Sequence, residues 1–245
     1  MSKNITLSHR LQAAVRMVTP GNRVADIGCD HGFTSIYLVQ QGISPRCLAM
    51  DVRTGPLSAA SEHVAECGLE TYIETRLSDG LKEYRIGEAD AMICCGMGGP
   101  LMAGILEQSL DKALSFTELI LQPQSEIPEF RVFLREKGFS IRQEDLVYEE
   151  GKYYFLIKAV PGGGADSGES DLQLVYDRFG RDNILNAHPV FVQYLEYCRK
   201  GIDKIRQQLT ASGEQENRTQ RRLAELQEED KLIQQAEDLM KGKID

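Results

Sequence analysis

The alternation of short apolar runs with amphipathic stretches over residues 23–137 is the feature that most constrains this fold. Runs with strand character lie at 23–27, 46–51, 71–77, 90–95 and 117–122. Stretches with helical periodicity lie at 33–41, 55–67, 99–111 and 126–137, after an amphipathic helix predicted at 5–18. Strands that alternate with helices predict a parallel sheet covered by helices on both faces.

The end of this region departs from the alternation. Two β-rich runs between Phe139 and Val160 are separated by residues 149–152, which predicts an antiparallel hairpin. A parallel sheet that ends in an antiparallel pair is typical of class I methyltransferases and is not typical of NAD-binding domains. The predicted fold class is therefore α/β, with a Rossmann-like sheet of the class I type that depends on S-adenosyl-L-methionine (SAM).

A second domain is predicted after this sheet. Residues 161–170 (PGGGADSGES) predict a Gly/Ser-rich linker between a Rossmann-like domain at 1–160 and a helical domain at 171–245. Two apolar stripes follow it, made of Phe191, Leu195, Cys198, Ile202, Ile205 and Leu209, and of Leu223, Leu226, Ile233, Ala236 and Met240. Joined by a turn near 211–213, they predict an antiparallel coiled-coil hairpin. Dimerisation through these helices stays open, and a monomer is the working expectation.

Charge and composition narrow the classes of partner. The net charge of −9 argues against a general polyanion binder. Residues 1–60, however, hold six Lys and Arg against three Asp, a local charge of +3. No apolar run is long enough to span a membrane and no signal peptide is visible, so we expect a cytoplasmic protein without a membrane partner. The six cysteines form no CxxC pair and the four histidines are scattered, so no metal is expected.

The turn after the first strand reads DIGCDHG, residues 26–32. Its D-x-G-x-D-x-G spacing lacks the G-x-G-x-x-G of dinucleotide sites. Gly28 lets the chain turn, and Gly32 opens a helix whose N-terminus favours a carboxylate. Asp26 or Asp30 can accept from an ammonium group, so the methionine part of SAM fits better than a pyrophosphate. His31 is placed with this cofactor loop, and a purely structural turn stays open.

The segments that follow the second and third strands, called their exits here, carry residues suited to binding a nucleoside. Asp51 ends the second strand 19 residues past Gly32, the place of an acidic residue that binds ribose hydroxyls. The third exit reads LSDGL, in which Ser78, Asp79 and Gly80 are predicted to contact an adenine ring. Such turns also occur for structural reasons alone.

The fourth and fifth exits complete the predicted ring of loops. CCGMGGP, residues 94–100, brings glycine backbone to the carboxyl edge of the sheet, where open α/β sheets bind ligands. Gly96, Met97 and Gly98 are predicted to contact the cofactor, and Gly99 the substrate. In LQPQ, residues 121–124, Gln122 is predicted to hydrogen-bond a base or to cap its turn.

Together the motifs resemble the bacterial tRNA (adenine(22)-N1)-methyltransferase family, TrmK. The resemblance rests on LSHRL (7–11), DIGCDHG, MDV…GPL (50–57), LSDGL, CGMGG (95–99), LQPQ and the helical tail, in order over nearly the whole chain. It implies a SAM-dependent enzyme that methylates N1 of an adenine in tRNA. It also implies a cofactor site lined by Asp26, Gly28, Asp30, Gly32, Asp51, Asp79, Gly80 and the 96–99 loop.

Roles in catalysis and substrate binding follow as expectations. Adenine N1 has a free lone pair, so no strong general base is required, and Asp30 is the candidate catalytic residue through electrostatics or by orienting the base. Candidates for phosphate contact are Arg10, Arg16, Arg23, Arg46 and Arg53, of which Arg10 and Arg53 are assigned to the substrate. Methylation of another RNA, a protein or a small molecule stays open, as does a non-catalytic SAM-binding adaptor. A NAD dehydrogenase is disfavoured.

Overall fold

The computed structural model describes residues 4–162, 171–212 and 216–242. The chain divides into two compact units, Met1–Asp166 and Ser167–Asp245. Of the predicted linker 161–170, residues 163–170 lie outside the described residues, and Pro161 belongs to the last strand of the first unit. No helix of the described residues is long and apolar enough to cross a membrane.

The first unit is built on one seven-stranded sheet. Its strands are β1 (Val24–Ile27), β2 (Cys47–Asp51), β3 (Ile73–Leu77), β4 (Ala91–Met97), β5 (Glu118–Pro123), β6 (Phe139–Glu149) and β7 (Lys152–Pro161). Their order is β3-β2-β1-β4-β5-β7-β6, with β1–β5 parallel and β7 antiparallel to both β5 and β6. The predicted parallel sheet with an antiparallel pair at its end is thereby confirmed.

Helices cover both faces of this sheet. They are α1 (His9–Met17), α2 (Phe33–Gln40), α3 (Thr54–Glu66), α4 (Gly99–Gln108), α5 (Leu110–Ala113) and α6 (Ile127–Glu136). Successive residues of a strand point to opposite faces, so Val24 joins the core under α1–α3 while Ala25 joins the core under α4–α6. Both cores consist of buried apolar side chains, which is expected because the central parallel strands are apolar on both faces.

Two predicted helices differ in extent from the observed ones. The helix predicted at 5–18 starts at His9, because Ser8 has extended backbone and occupies the N-cap, and it stops before the extended Val18. The helix predicted at 99–111 is divided into α4 and α5 at Ser109, whose φ of −138° and ψ of 47° are not helical. Residues next to a helix can share its apolar pattern without helical backbone, which is why periodicity overran these ends.

A buried ion pair fixes α6 to the hairpin. Arg131 Nε donates to Glu144 Oε1 at 2.7 Å, with both side chains 2% exposed, and the guanidinium lies 5.2 Å from the Phe155 ring centroid. Charges this deeply buried are tolerated only when paired and hydrogen-bonded. The pair therefore specifies how the antiparallel end of the sheet meets its covering helix.

Close backbone contact also joins the exits of β4 and β5. The Gly99 N–H, at the first residue of α4, donates to the Ser125 carbonyl at 3.1 Å. A Cβ added at Gly99 would lie 2.4 Å from that carbonyl oxygen. Only glycine allows this approach, so residue 99 holds the two loops together.

The described residues of the second unit form four helices: α7 (Asp171–Phe179), α8 (Arg181–Leu185), α9 (Pro189–Ser212) and α10 (Glu216–Met240). Ion pairs at 3.2 Å link Arg206 to Asp230 and Arg199 to Glu237, so α9 and α10 are antiparallel. The predicted helical tail is confirmed, while coiled-coil packing stays a prediction, and residue 213 of the predicted turn lies outside the described residues. Sequence reasoning did not resolve α7 and α8.

The apolar stripes of α9 and α10 are partly as predicted. Phe191, Leu195 and Ile202 are buried on α9, and Leu226, Ile233 and Ala236 are buried on α10. At the end of α10, Leu239 is 7% exposed, whereas the predicted Met240 is only half-buried. Arg178 of α7 also pairs with Glu229 of α10, so the long helices share their apolar faces with the two short ones.

Replacing Gly99 by Ala is expected to lower the free energy of unfolding by about 1–3 kcal/mol, because the added methyl collides with backbone. Gly104→Ala in the same helix is the matched control, since a Cβ there meets nothing within 4 Å. It is expected to be neutral or to stabilise by up to about 1 kcal/mol. Urea unfolding of both variants measures the difference, and equal midpoints would contradict the close approach at Gly99.

Candidate active site

A cavity of about 540 Å³ opens at the carboxyl ends of the parallel strands. Most residues that the sequence pointed to as site residues line it: Arg10, Asp26, Gly28, Asp30, His31, Asp51, Arg53, Ser78, Asp79, Gly80, Gly96 and Met97. They come from different strand exits and from α1, and the parallel pairing brings the exits to one edge. The cavity is within the size range of cofactor sites.

Asp26 is the buried carboxylate at the end of β1. It is 5% exposed, and Ser35 Oγ of α2 donates to its Oδ2 at 2.8 Å. Burial raises the pKa of Asp26 to about 6, partly offset by the Ser35 hydrogen bonds. Since the group lines the cavity, a cationic ligand atom could stabilise its ionised form there.

Asp51 connects the exits of β1 and β2. Its side chain is 4% exposed and accepts from the backbone N–H of Asp30 at 3.1 Å and of Arg53 at 2.8 Å. A carboxylate has about four acceptor positions, so Asp51 keeps capacity for ligand hydroxyls. Its carbonyl also accepts from the Ser78 N–H at 2.9 Å, which links the third exit to the first two.

Asp30 and Arg53 form the exposed rim of the cavity. Arg53 Nη2 donates to Asp30 Oδ1 at 3.3 Å, and Arg53 Nε lies 3.4 Å from Asp51 Oδ1. The Asp30 side chain is 59% exposed, so the pair is open to solvent and to a substrate. His31 Nε2 lies 3.9 Å from the other carboxylate oxygen of Asp30.

The third exit presents Asp79 at the surface. Its side chain is 58% exposed and accepts from Lys82 Nζ at 2.5 Å. Ser78 Oγ donates to the Gly80 carbonyl at 2.8 Å and accepts from the Glu83 N–H, which orders the turn. Ser78 therefore shapes this wall through backbone contacts while Asp79 keeps its carboxylate accessible.

The first and fourth exits meet at Gly28 and Met97. The Gly28 N–H donates to the Met50 carbonyl at 2.8 Å, and its φ of +74° is disfavoured for any side chain. A Cβ at Gly28 would lie 2.1 Å from Met97 Cε. The Met97 side chain therefore packs directly on the Gly28 backbone, and both residues line the cavity.

Arg10 enters the cavity from α1 and is held by the far end of the sheet. Its Nη1 donates to Gln122 Oε1 at 3.1 Å, and its guanidinium lies 5.4 Å from the Tyr154 ring centroid. Glu149 Oε2 lies 3.8 Å from Arg10 Nε, and Glu149 Oε1 accepts from the His9 N–H at 2.6 Å. The β6–β7 hairpin thus positions the N-terminal turn of α1.

The other arginines of the basic N-terminal segment lie elsewhere. Arg23 makes a two-point contact with Asp90, at 2.8 and 2.9 Å, next to the amino end of β1. Arg46 precedes β2 and Arg16 lies on the exposed side of α1. Of the predicted phosphate contacts, only Arg10 and Arg53 line this cavity.

Four predicted site residues do not line the cavity: Gly32, Gly98, Gly99 and Gln122. Gly32 is the N-cap of α2 and lies against Ala60 of α3. Gly98 and Gly99 start α4 against Ser125. Gln122 is 0% exposed and faces Arg10 and the Gly96 N–H. In this structure these residues support the wall, and direct contact of any of them with a ligand stays a prediction.

Several lining residues were missed because their sequence pattern is ordinary. Phe33 lines the cavity at 36% exposure, with its ring centroid 4.8 Å from that of His63. Val52 and Leu101 also line it at 59% and 60% exposure. The available signal was an apolar residue in the segment that follows a strand or in the first turn of the next helix, since such positions border the carboxyl edge of the sheet. Gln124 also lines the cavity, next to Gly96.

The cysteines next to this site are not activated. Burial raises the pKa of the Cys95 thiol to about 12 and also raises the pKa of Cys29 and Cys94. No disulfide joins these cysteines among the described residues. Within residues 4–162, 171–212 and 216–242, no three His, Cys, Asp or Glu side chains are grouped to hold a metal ion.

The cavity thus combines the buried carboxylates of Asp26 and Asp51, glycine backbone without side chains, and Arg10 held in place by the antiparallel end of the sheet. Acidic groups suit a ligand with an ammonium group and ribose hydroxyls.

Comparisons with known proteins agree with this geometry. The family described as "Methyltransferase domain" matches residues 7–157. The tRNA (adenine(22)-N(1))-methyltransferase of Bacillus subtilis (strain 168) is 35% identical over 158 residues, which cover 64% of this chain and 66% of that protein. The aligned stretch thus spans just under two thirds of that relative.

Solved structures extend the likeness over nearly the full chain. The crystal structure of the B. subtilis m1A22 tRNA methyltransferase TrmK has a TM-score of 0.82 at 29% identity, covering 96% of this chain and 100% of that one. TrmK of M. capricolum, in complex with the cofactor product S-adenosyl-homocysteine, has a TM-score of 0.80 at 26% identity, covering 96% and 99%. The chain therefore belongs to the methyltransferase domain family and, within it, to the TrmK family.

Proposed function

We propose that this protein transfers a methyl group from SAM to N1 of adenine 22 in tRNA. The observation that carries the proposal is the cavity at the carboxyl edge, where the exits of β1–β4 bring Asp26, Asp51 and Asp79 around bare backbone. Membership of the TrmK family supports the choice of tRNA and of SAM.

The lining residues fit SAM by their chemistry. Burial raises the pKa of the Asp26 carboxylate, and the ammonium of the methionine part can supply a cation that stabilises its ionised form. Asp51 has acceptor capacity for ribose hydroxyls, and Asp79 can accept from the adenine amino group. When bound, the cofactor supplies an electrophilic methyl group on a sulfonium centre.

The residues of this chain then act by placement and electrostatics. Adenine N1 uses its lone pair, so no side chain has to remove a proton before the attack. The reaction leaves a positive charge on the base, and the carboxylates of Asp26, Asp30 and Asp51 favour that charge. Met97 and Leu101 supply apolar surface to the same cavity.

The target base has to be unpaired when it reaches this site. N1 is hidden in a paired adenine, so the protein acts on an unpaired or flipped base. The exposed Arg53 and the wall residue Arg10 are the cationic groups placed to meet the RNA near the cavity. The protein is proposed to act in the cytoplasm as a monomer, with the helical unit free to contact tRNA or a protein.

The direct test is incubation of the purified chain with methyl-labelled SAM and an unmodified tRNA transcript that carries A22. Nucleoside analysis is expected to show 1-methyladenosine, and the same transcript with G22 is the matched control. Label in another nucleoside, equal label in the G22 transcript, or no label in any tRNA would contradict the assignment.

Asp30→Asn is expected to lower kcat for tRNA by about tenfold while the Kd for S-adenosyl-homocysteine stays within about twofold. The Asp30 φ of +51° is tolerated by Asn, so the variant removes charge without adding backbone strain. Steady-state kinetics and calorimetry separate the two effects. Unchanged kcat with unchanged Kd would remove Asp30 from the mechanism.

Binding of S-adenosyl-homocysteine is expected to tighten by up to about tenfold between pH 5 and pH 7, because a cationic ligand selects ionised Asp26, whose pKa is about 6. Asp26→Asn is expected to remove most of this dependence. Ser35→Ala should move it to higher pH, since the lost hydrogen bond had lowered the pKa. Calorimetry across this range measures it, with His31→Gln as the control that keeps the dependence.

A further inference from the structure

Gln122 is a fully buried amide at the carboxyl end of β5 that the proposed mechanism does not use. Its side chain is 0% exposed, and its Oε1 accepts from Arg10 Nη1 at 3.1 Å and from the Gly96 N–H at 3.2 Å. Its Nε2 lies 3.3 Å from the Pro123 carbonyl. One amide oxygen thus joins α1 to the carboxyl end of β4, and its partners fix which way the amide faces.

Arg10 is held in one orientation by three neighbours. Gln122 accepts from Nη1, the Tyr154 ring lies against the guanidinium, and Glu149 Oε2 lies 3.8 Å from Nε. Nη2 of Arg10 has no hydrogen-bond partner among the described residues. The side chain is 26% exposed and lines the cavity, so its remaining donors are available to a ligand there.

The charges around the cavity single out this arginine. Among the described residues that line it, four are carboxylates, Asp26, Asp30, Asp51 and Asp79, and two are arginines. Arg53 is already paired with Asp30 and Asp51, within 3.3–3.4 Å. Arg10 has a carboxylate neighbour only at 3.8 Å, in Glu149. Of the two arginines its positive charge is therefore the less neutralised, and it is the better placed to bind an oxyanion.

An amide at position 122, rather than a carboxylate, preserves the positive charge of Arg10. Gln accepts from Arg10 and orients it, but it cannot ionise. A carboxylate in this buried place would pair with Arg10 and cancel the charge that an oxyanion needs. The neutral acceptor therefore combines fixed geometry with an uncompensated guanidinium.

We propose that Gln122 is a positioning residue that sets Arg10 as an oxyanion-binding group at the β4–β5 side of the cavity. This inference rests on the proposed function, which supplies two sources of such an oxyanion. They are the carboxylate of the amino-acid part of the cofactor and a backbone phosphate of bound tRNA. Arginine binds either group through paired N–H donors.

The test compares Gln122→Met, Arg10→Ala and the double variant by binding measurements on the full chain. Met has nearly the volume of Gln and lacks its acceptor. The ligands are S-adenosyl-homocysteine, 5′-methylthioadenosine (which has no amino-acid part) and unmodified tRNA. Glu118→Gln is the matched control, because it weakens another buried contact on the same strand, to Thr19 and Lys158, at the opposite edge of the sheet.

Each single variant is expected to weaken the oxyanion-bearing ligand by about tenfold, the size of one lost charged hydrogen bond. The double variant should bind no more weakly than Arg10→Ala, since Gln122 acts through Arg10. A weaker Kd for S-adenosyl-homocysteine with unchanged 5′-methylthioadenosine binding identifies the cofactor carboxylate. A weaker Kd for tRNA, with a salt dependence reduced by about one charge, identifies a phosphate.

Three results would overturn the inference: additive losses in the double variant, the same losses in Glu118→Gln, or unchanged binding of all three ligands. These readouts need no methyl transfer. A wild-type chain that binds S-adenosyl-homocysteine and tRNA but methylates no tRNA would reject the proposed function alone, and the coupling of Gln122 to Arg10 could still be read.

Discussion

The site depends on the parallel pairing of β1 with both of its neighbours. Asp26 of β1 is in register with Ala49 of β2 on one side and Ile93 of β4 on the other. Since all three strands run the same way, their carboxyl ends meet at one edge. The chain order reverses next to β1, where the connections diverge and leave a crevice. The acidic and glycine-rich exits can surround one cavity only because of this arrangement.

Within that cavity, hydrogen bonds from backbone N–H groups to the Asp51 carboxylate hold the exits of β1 and β2 in place. Asp51 is buried and accepts from the N–H groups of Asp30 and Arg53, so the β1 and β2 exits cannot move independently. The same contacts leave the Asp30 side chain at the surface and Asp51 below it. Two carboxylates of the same type thus have different environments and, we infer, different ligands.

The antiparallel end of the sheet has a less obvious part in the site. Glu149 and Tyr154 of the β6–β7 hairpin hold Arg10, and Arg131 with Glu144 fixes the hairpin to α6. The strand pair that marks the fold class is therefore also what places an arginine of α1 at the cavity. In the sequence, Arg10 and Glu149 are separated by most of this unit, and local pattern does not connect them.

The sequence by itself determined the succession of strands and helices along the first unit, apart from the break between α4 and α5, and also the terminal hairpin and the motif that follows each parallel strand. Apolar periodicity and turn residues act locally, so they can be read without coordinates. Only the tertiary structure decided which exits share a cavity, that Gln122 and Gly99 support the wall, and that Phe33 and Leu101 face the ligand space. It also decided which arginines reach the cavity: Arg23 is held away from it by Asp90, whereas Arg10 lines it and is held by Gln122. The reason is physical, because burial and charge pairing depend on neighbours that are distant in the chain and are set by strand order and helix packing.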